Sequence, residues 1–333
     1  MILITGGAGF VGTNFIYQWF EHTSEPLVNL DALTYAGNVQ NLAPLSANPH
    51  YHFVHGNVCD KELVTQVLQT YRPRAIIHMA AESHVDRSIA GPEVFFQTNV
   101  LGTVNMLTCA QVYYESLAQE QRSVFRFLHV STDEVYGSLE PGDDAFTEDS
   151  PHRPNSPYSA SKAASDDAVR AWHRTYGLPT LTTNCSNNYG PYQFPEKLIP
   201  LVITRALAHQ PIPVYGDGTN VRDWLHVNDH CAALRLVLEK GRVGETYNIG
   251  SNTEVSNNAM VELICRHLDV YMPWEDGSYG RLITYVPDRP GHDRRYAISA
   301  AKLRAELSWL PQLSFEDGMR QCVETYCPSR QGI

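Results

Sequence analysis

Met1-Ile2-Leu3-Ile4-Thr5-Gly6-Gly7-Ala8-Gly9-Phe10-Val11-Gly12 opens the chain. Met1 to Ile4 read as a short buried strand, and glycines follow at once. From Phe10 to Glu21 apolar residues return at helical intervals: Phe10, Val11, Phe15, Ile16, Trp19 and Phe20. Gly7, Gly9 and Gly12 satisfy G-x-G-x-x-G, while Gly6, Gly9 and Gly12 satisfy G-x-x-G-x-x-G. Such glycines let the backbone approach a pyrophosphate, which rests on the helix N-terminus. The glycines alone are a weak signal, but here the strand precedes them and the helix follows, as a dinucleotide site requires. A second strand, Leu27 to Leu30, ends at Asp31, 19 residues beyond Gly12. A carboxylate there accepts the adenosine ribose hydroxyls and repels a 2′-phosphate, which favours NAD over NADP.

The strand–helix rhythm continues. Strand Tyr51 to Val54 leads through Gly56-Asn57-Val58-Cys59-Asp60 to a helix ending near Tyr71. Strand Ala75 to Met79 leads through Ala80-Ala81-Glu82-Ser83-His84 to a long helical stretch from about Pro92 to Gln119. Strand Phe125 to Val130 and a helix from Tyr158 to about Tyr176 complete the series. Repeated units of this kind imply an α/β fold, a doubly wound parallel sheet of Rossmann type. After about Leu181 elements shorten and loops multiply, which suggests a smaller C-terminal substrate-binding lobe. The expected division is residues 1–183 for the dinucleotide, with about 222–250 returning to that domain, and 184–333 for the lobe. No internal repeat or low-complexity tract appears.

Two pieces carry chemistry at the expected sheet edge. Ser131-Thr132-Asp133-Glu134-Val135-Tyr136-Gly137 follows the strand at Val130, and Tyr158-Ser159-Ala160-Ser161-Lys162 follows a turn signal, Pro154-Asn155-Ser156-Pro157. Tyr158 and Lys162, four apart, share a helix face. A phenol ionises poorly at neutral pH, but a nearby ammonium favours the phenolate. Bringing its pKa near 7 takes about three units, or roughly 4 kcal/mol. Such a phenolate can take a proton from a sugar hydroxyl while hydride leaves the same carbon. Asp133 and Glu134 add a second acid–base pair, which simple alcohol oxidation does not need. A lone Tyr-x-x-x-Lys is common on helices, and an Asp-Glu pair is usually solvated surface; the upstream dinucleotide motif gives both weight.

Composition sets the bounds. A chain of 333 residues with 43% hydrophobic and 18% charged residues is an ordinary globular protein. It can bury roughly three quarters of its unfolded surface. A net charge of −11 argues against general nucleic-acid or anionic-membrane binding, while leaving room for a local basic pocket. No apolar run approaches the ~20 residues of a membrane span. Met1 to Ile4 lacks a basic flank, so it is expected to be a strand and not a signal peptide. Seven scattered cysteines without a Cys-x-x-Cys pair read as reduced thiols of a cytoplasmic protein. His226-x-x-x-His230 has metal-pair spacing but no convincing third ligand, so a structural or capping role is expected and no metal.

These residues resemble the extended short-chain dehydrogenase/reductase family, and within it the dTDP-glucose 4,6-dehydratases. The similarity covers nearly the whole chain. Early glycines, Asp31 and Tyr158/Lys162 are shared by extended members generally. More specific are Ala80-Ala81-Glu82-Ser83-His84-Val85-Asp86-Arg87-Ser88, Ser131 to Gly137, Ser186-Asn187-Asn188-Tyr189-Gly190-Pro191 and Asp288-Arg289-Pro290-Gly291-His292. The resemblance implies that Phe10, Val11, Asp31, Thr34, Val58, Ala80, Thr98, Tyr158, Lys162 and Asn188 contact NAD, beside Gly6, Gly9 and Gly12. It implies that Ser83, Thr132, Asn187, Lys197, Leu198, Pro213, Tyr215, Arg222, Asn257, Arg289 and His292 contact the nucleotide sugar, dTDP-glucose. Asn57 stands where the family usually has Asp near the adenine, and its side-chain oxygen can still accept a hydrogen bond. The tail, Cys327 to Ile333, is shorter than in many relatives.

The resemblance also implies a course of reaction. Tyr158, backed by Lys162, takes the C4 hydroxyl proton as NAD takes the C4 hydride, and Thr132 hydrogen-bonds the C4 oxygen. The ketone acidifies the C5 proton, which Glu134 removes as general base. Protonated Asp133 helps the C6 hydroxyl leave as water, and hydride returns to C6. Two adjacent carboxyls with opposite protonation need surroundings that push their pKa values apart. A 4-epimerase would need no Asp-Glu pair, and a silent dinucleotide-sensing protein would usually have lost Tyr158 or Lys162. The resemblance further implies a homodimer paired through the helical stretches near 92–119 and 157–176, whose apolar content exceeds what one sheet face explains.

Overall fold

The computed structural model describes residues 1–327, so the short tail noted above lies, beyond Cys327, outside the described residues. Strands form in the order β1 (Ile2–Thr5), β2 (Leu27–Asp31), β3 (Tyr51–His55), β4 (Ala75–His78), β5 (Arg126–Thr132), β6 (Thr180–Cys185), β7 (Asn187–Tyr189), β8 (Ile212–Tyr215), β9 (Val221–His226), β10 (Thr246–Ile249), β11 (Glu254–Ser256) and β12 (Ile283–Val286). Seven make one parallel sheet ordered β10-β6-β5-β4-β1-β2-β3. Its central strands are apolar on both faces: Ile2, Leu3, Ile4, Ile76, Ile77, Phe127 and Leu128 are fully buried. That is the signature of a sheet covered by helices on both sides. Helices Phe10–His22 and Val227–Lys240 cover one face. Helices Lys61–Tyr71 and Gly102–Ser116 cover the other. The strand order reverses between β1 and β4, and ligands of such sheets bind beyond the strand ends at that switch point.

Two smaller sheets, β11-β9-β7 and β12-β8, belong to a second lobe with its own core. Met260, Val261, Ile264, Cys265 and Leu268 bury one face of helix Asn257–Tyr271 in that core. That spacing of apolar residues was legible in the sequence and went unread. Among the described residues no helix is long and apolar enough to cross a membrane. All seven cysteines are free.

Three local departures from the sequence reading bear on the site. The stretch from Pro92 is not one helix: α-helix Pro92–Phe95 passes into a π-helical segment, Phe96–Leu101, before α-helix Gly102–Ser116. Such π segments are rare and recur at functional sites. Here the segment carries Asn99, whose side chain accepts from the Glu82 amide (2.8 Å) and donates to the Glu82 carbonyl (3.0 Å) and Ser161 Oγ (2.8 Å). Strand β5 runs on to Thr132, beyond Val130, because its ladder continues opposite Asn184 and Cys185. Asn184, past Leu181 where loops were expected to multiply, is therefore in β6. Its polar side chain is buried, the amide nitrogen donating to the Thr132 carbonyl (3.1 Å) and to Asp166 (3.0 Å), while its oxygen has no partner among the described residues.

Candidate active site

The first turn of helix Phe10–His22 is open for an anion. Its N-cap, Gly9, supplies no side-chain cap and the turn holds no acidic residue, so the orphan amides face the cleft unneutralised. Gly6 has φ +74°, and a Cβ there would lie 2.7 Å from the Ala80 nitrogen; a Cβ on Gly12 would lie 2.4 Å from the Gly6 carbonyl. These two glycines let the loop close on the strand tips. A Cβ on Gly9 would meet only the Gly6 carbonyl, at 3.3 Å, and otherwise project into free space. Gly9 thus leaves room for a diphosphate.

Asp31, at the tip of β2, accepts from the Ala8 amide and the Leu33 amide, each at 2.8 Å. Burial holds its carboxyl above the usual carboxylate range despite these bonds. Each oxygen keeps a lone pair for a ribose hydroxyl. Asn57 spends its side-chain oxygen locally, accepting from the Cys59 amide at 2.9 Å. This turn leaves one lone pair of that oxygen to accept a further hydrogen bond. Every residue expected to touch NAD, from Gly6 to Asn188, lines one cavity of about 320 Å³. An uncapped helix start, an open Gly9 and a ribose-height carboxylate fit a dinucleotide such as NAD.

The same cavity reaches Thr132, Asp133, Glu134, Tyr158 and Lys162. Thr132 ends β5 and caps the 3₁₀ turn Asp133–Tyr136, its Oγ1 accepting from the Glu134 amide at 3.3 Å. Helix Pro157–Tyr176 starts on Ser156, whose Oγ accepts from the Ser159 amide at 3.1 Å. That cap places Tyr158 in the first turn, with Lys162 one turn on. Lys162 Nζ donates to the Val130 carbonyl at 2.9 Å. Burial, then the Glu134 charge, push the Tyr158 phenol well above its ordinary value, while the adjacent Thr132 hydroxyl works the other way. Burial thus outweighs the lowering expected from Lys162. The ammonium is itself buried and directed at a backbone carbonyl.

Asp133 is buried and its Oδ2 has no hydrogen-bond partner among the described residues. Burial first, then the charges of Glu134 and Asp223, hold it well above the carboxylate range. Glu134 is raised by burial too, but Arg289, Arg222 and Lys197 pull it back.

The substrate residues read from the sequence divide. Ser83, Thr132, Asn187 and Lys197 line the cavity. Lys197 Nζ donates to the Ser83 carbonyl at 3.0 Å. Outside the lining, Asp86 meets Arg289 (3.4 Å) and the Tyr215 hydroxyl (3.3 Å), and Tyr215 packs edge-on to His292. Arg222 is held over the Tyr296 ring (4.2 Å) and donates to the Asp293 carbonyl (3.0 Å). Leu198, Pro213 and Asn257 start a helix, sit in β8 and start another helix, and none lines the cavity.

Several cavity residues escaped sequence reading. Tyr35 lies between the Arg87 guanidinium (4.1 Å) and Phe194 (5.6 Å, edge-on), so it bridges the cleft. His230 Nδ1 hydrogen-bonds the Asn188 side-chain oxygen at 2.9 Å, fixing that amide's orientation. Its partner in spacing, His226, accepts from the Asn228 amide at the start of helix Val227–Lys240. Cys185 also lines the cavity, its thiol pushed by burial up to about 12. The nearest sequence signals were proximity to Asp31 for Tyr35 and to Asn188 for Cys185.

The sequence profile of the GDP-mannose 4,6 dehydratase family matches residues 3–322. A protein of Xanthomonas campestris pv. campestris (strain B100) named dTDP-glucose 4,6-dehydratase is 60% identical over 99% of this chain and 94% of its own. One of the same name from Salmonella typhimurium is 52% identical over 100% and 94%. The solved structure of DesIV, the Streptomyces venezuelae dTDP-glucose 4,6-dehydratase with NAD and TYD bound, has a TM-score of 0.89 at 47% identity, covering 98% and 96%. A Thermotoga maritima UDP-glucose 4-epimerase has a TM-score of 0.84 at 27% identity, covering 98% of each chain.

Proposed function

The chain belongs to the GDP-mannose 4,6 dehydratase family within the extended short-chain dehydrogenases, and from that premise we propose that it is an NAD-dependent dTDP-glucose 4,6-dehydratase. It is a hydro-lyase converting dTDP-glucose to dTDP-4-keto-6-deoxyglucose and water. The observation that carries this reading is the Asp133–Glu134 pair on one turn beside Tyr158 and Lys162. Oxidation at C4 alone, or epimerisation there, leaves such a pair without work.

Gly6, Gly9, Phe10, Val11 and Gly12 hold the NAD diphosphate, and Asp31 and Thr34 hold the adenosine ribose. NAD held there would supply the hydride acceptor for C4 and the hydride donor for C6. Tyr158 takes the C4 hydroxyl proton, with Lys162 as the adjacent ammonium and Thr132 donating to the C4 oxygen. Glu134, drawn toward ionisation by three cations, takes the C5 proton. Asp133, kept protonated by burial and by two neighbouring carboxylates, gives its proton to the departing C6 hydroxyl. Lys197, Arg222 and Arg289 oppose the diphosphate of the nucleotide sugar. Asn187, Tyr215 and His292 complete that site, with Leu198, Pro213 and Asn257 behind it.

The cofactor domain comprises residues 1–183 with a return through helix Val227–Lys240 and β10, starting later than the expected 222 because β9 pairs with β7 and β11 of the second lobe, and the remainder holds the nucleotide sugar. The protein works as a cytoplasmic homodimer, supported by free thiols and by exposed Val94, Phe96, Leu101 and Val112 along residues 92–116. The test is to offer dTDP-glucose and UDP-glucose in parallel and identify the sugar formed. A 4-keto-6-deoxy product from dTDP-glucose supports the reading. Galactose formed from either donor refutes it.

A further inference from the structure

One turn beyond Lys162 on helix Pro157–Tyr176 lies Asp166, a buried carboxylate with no part in the chemistry above. Its two oxygens are tied to two strands of the main sheet. Oδ1 accepts from His129 Nε2 at 3.1 Å, and Oδ2 accepts from Ser131 Oγ at 2.9 Å and from Asn184 Nδ2 at 3.0 Å. Asn184 Nδ2 also donates to the Thr132 carbonyl, and Lys162 itself donates to the Val130 carbonyl between His129 and Ser131. Helix, β5 and β6 are thus joined at the height of the reacting groups by one carboxylate and one ammonium. A buried ammonium with no nearby anion would lose its proton.

We propose that Asp166 is a positioning residue for the oxidation step, clamping the Tyr158–Lys162 turn to the tips of β5 and β6 and supplying the fixed negative charge that keeps Lys162 an ammonium. The charges facing Lys162 support this. On its own helix stand Tyr158 and Asp166, on β5 His129, on β4 His78, and on β6 Cys185; Asp133 and Glu134 act from the 3₁₀ turn through Tyr158. Burial lowers Lys162, and Asp166 is the first charge to raise it back. The two histidines are held neutral by burial, His129 down to about 4. Cys185 is held as a thiol. Burial raises Asp166, but the hydrogen bonds from His129 and Ser131 and the Lys162 charge outweigh it and hold the carboxyl below its ordinary value, so it is ionised at working pH.

The inference rests on the dehydratase reading for its kinetic arm only. With NAD-loaded enzyme, the rate of bound NADH formation on mixing with dTDP-glucose is followed against pH. Asp166→Asn, which keeps shape and loses charge, moves the alkaline limb down by about one pH unit or more, the effect of an opposite charge within ~4–6 Å. Ser131→Ala, which removes one hydrogen bond and keeps the charge, leaves that limb in place. An unmoved limb in Asp166→Asn, or the same shift in Ser131→Ala, overturns the proposal. Melting temperature supplies a second arm that needs no activity. Asp166→Asn lowers it, and adding Lys162→Met restores part of the loss, because the stranded buried cation is gone. A double variant no more stable than Asp166→Asn, or unfolded along with it, overturns the proposal as well. Wild-type enzyme that forms no NADH from dTDP-glucose counts against the dehydratase reading alone, and the stability cycle then judges Asp166.

Discussion

Asp133 and Glu134 are neighbours in one 3₁₀ turn, yet cations answer to them unequally: Arg289, Arg222 and Lys197 all act on Glu134, and of these only Arg222 is a leading influence on Asp133. Asp133 instead faces two further carboxylates, Glu134 and Asp223, and keeps one oxygen unpartnered. Like charges in a dry site cannot all ionise, so the proton stays on Asp133. These surroundings support the proposed roles of Asp133 as acid and Glu134 as base.

Asp133→Asn therefore blocks the loss of water and spares the earlier steps. Product formation falls by about two to four orders of magnitude, the usual weight of a general acid. Exchange of the C5 proton with deuterated solvent persists, because Glu134 still acts. Mass spectrometry of recovered dTDP-glucose reads that exchange, and its loss in this variant would contradict the assignment.

Asp31 is expected to disfavour NADP. A 2′-phosphate at ~4 Å from a carboxylate costs about 1–4 kcal/mol. Cofactor-free protein is accordingly reactivated by NADP with affinity weaker by about five-fold or more than by NAD. Equal reactivation in a titration with both cofactors contradicts this.

In the proposed dimer a second copy of the chain covers the exposed apolar line of Val94, Phe96, Leu101 and Val112. Light scattering at micromolar protein gives the mass of a dimer, and Leu101→Glu shifts it toward monomer. A wild-type monomer under those conditions removes the dimer.

Acid weakens the fold before it protonates most carboxylates. Burial depresses His78 well below its ordinary value, His129 to about 4 and His230 to about 3. The unfolded chain protonates these rings near pH 6.5 while the folded one resists, so stability falls as pH drops from about 6.5 toward 4. Asp166, depressed in the fold, adds to the loss lower down. Melting temperatures between pH 7.5 and 4.5 check the sign; a curve flat to pH 5 contradicts it.

The cofactor half was legible because its signals are local. The glycines, the strand before them and Asp31 lie within one βαβ unit, and steric demands at Gly6 and Gly12 are met within a few residues. The ends of β5 and β6 were not legible, since Ser131, Thr132 and Asn184 are polar and are kept in strands by bonds to one another and to Asp166. The π segment at Phe96–Leu101 was hidden for the same reason: the bonds of Asn99 to Glu82 and Ser161 span distant parts of the chain. Periodicity detects a buried face and says nothing about such ties. At Tyr158 burial pushes the phenol up, where proximity to Lys162 in sequence suggested the opposite direction.

The most direct test is single-turnover absorbance with Glu134→Gln. With Glu134 as the C5 base, dTDP-glucose still reduces bound NAD, because Tyr158 and Lys162 perform that step, and NADH accumulates. Product falls by about two to four orders of magnitude and C5 exchange with deuterated solvent stops. Tyr158→Phe, run beside it, suppresses NADH and product together. Dehydration at the wild-type rate in Glu134→Gln would make Glu134 a structural carboxylate and contradict the acid–base assignment.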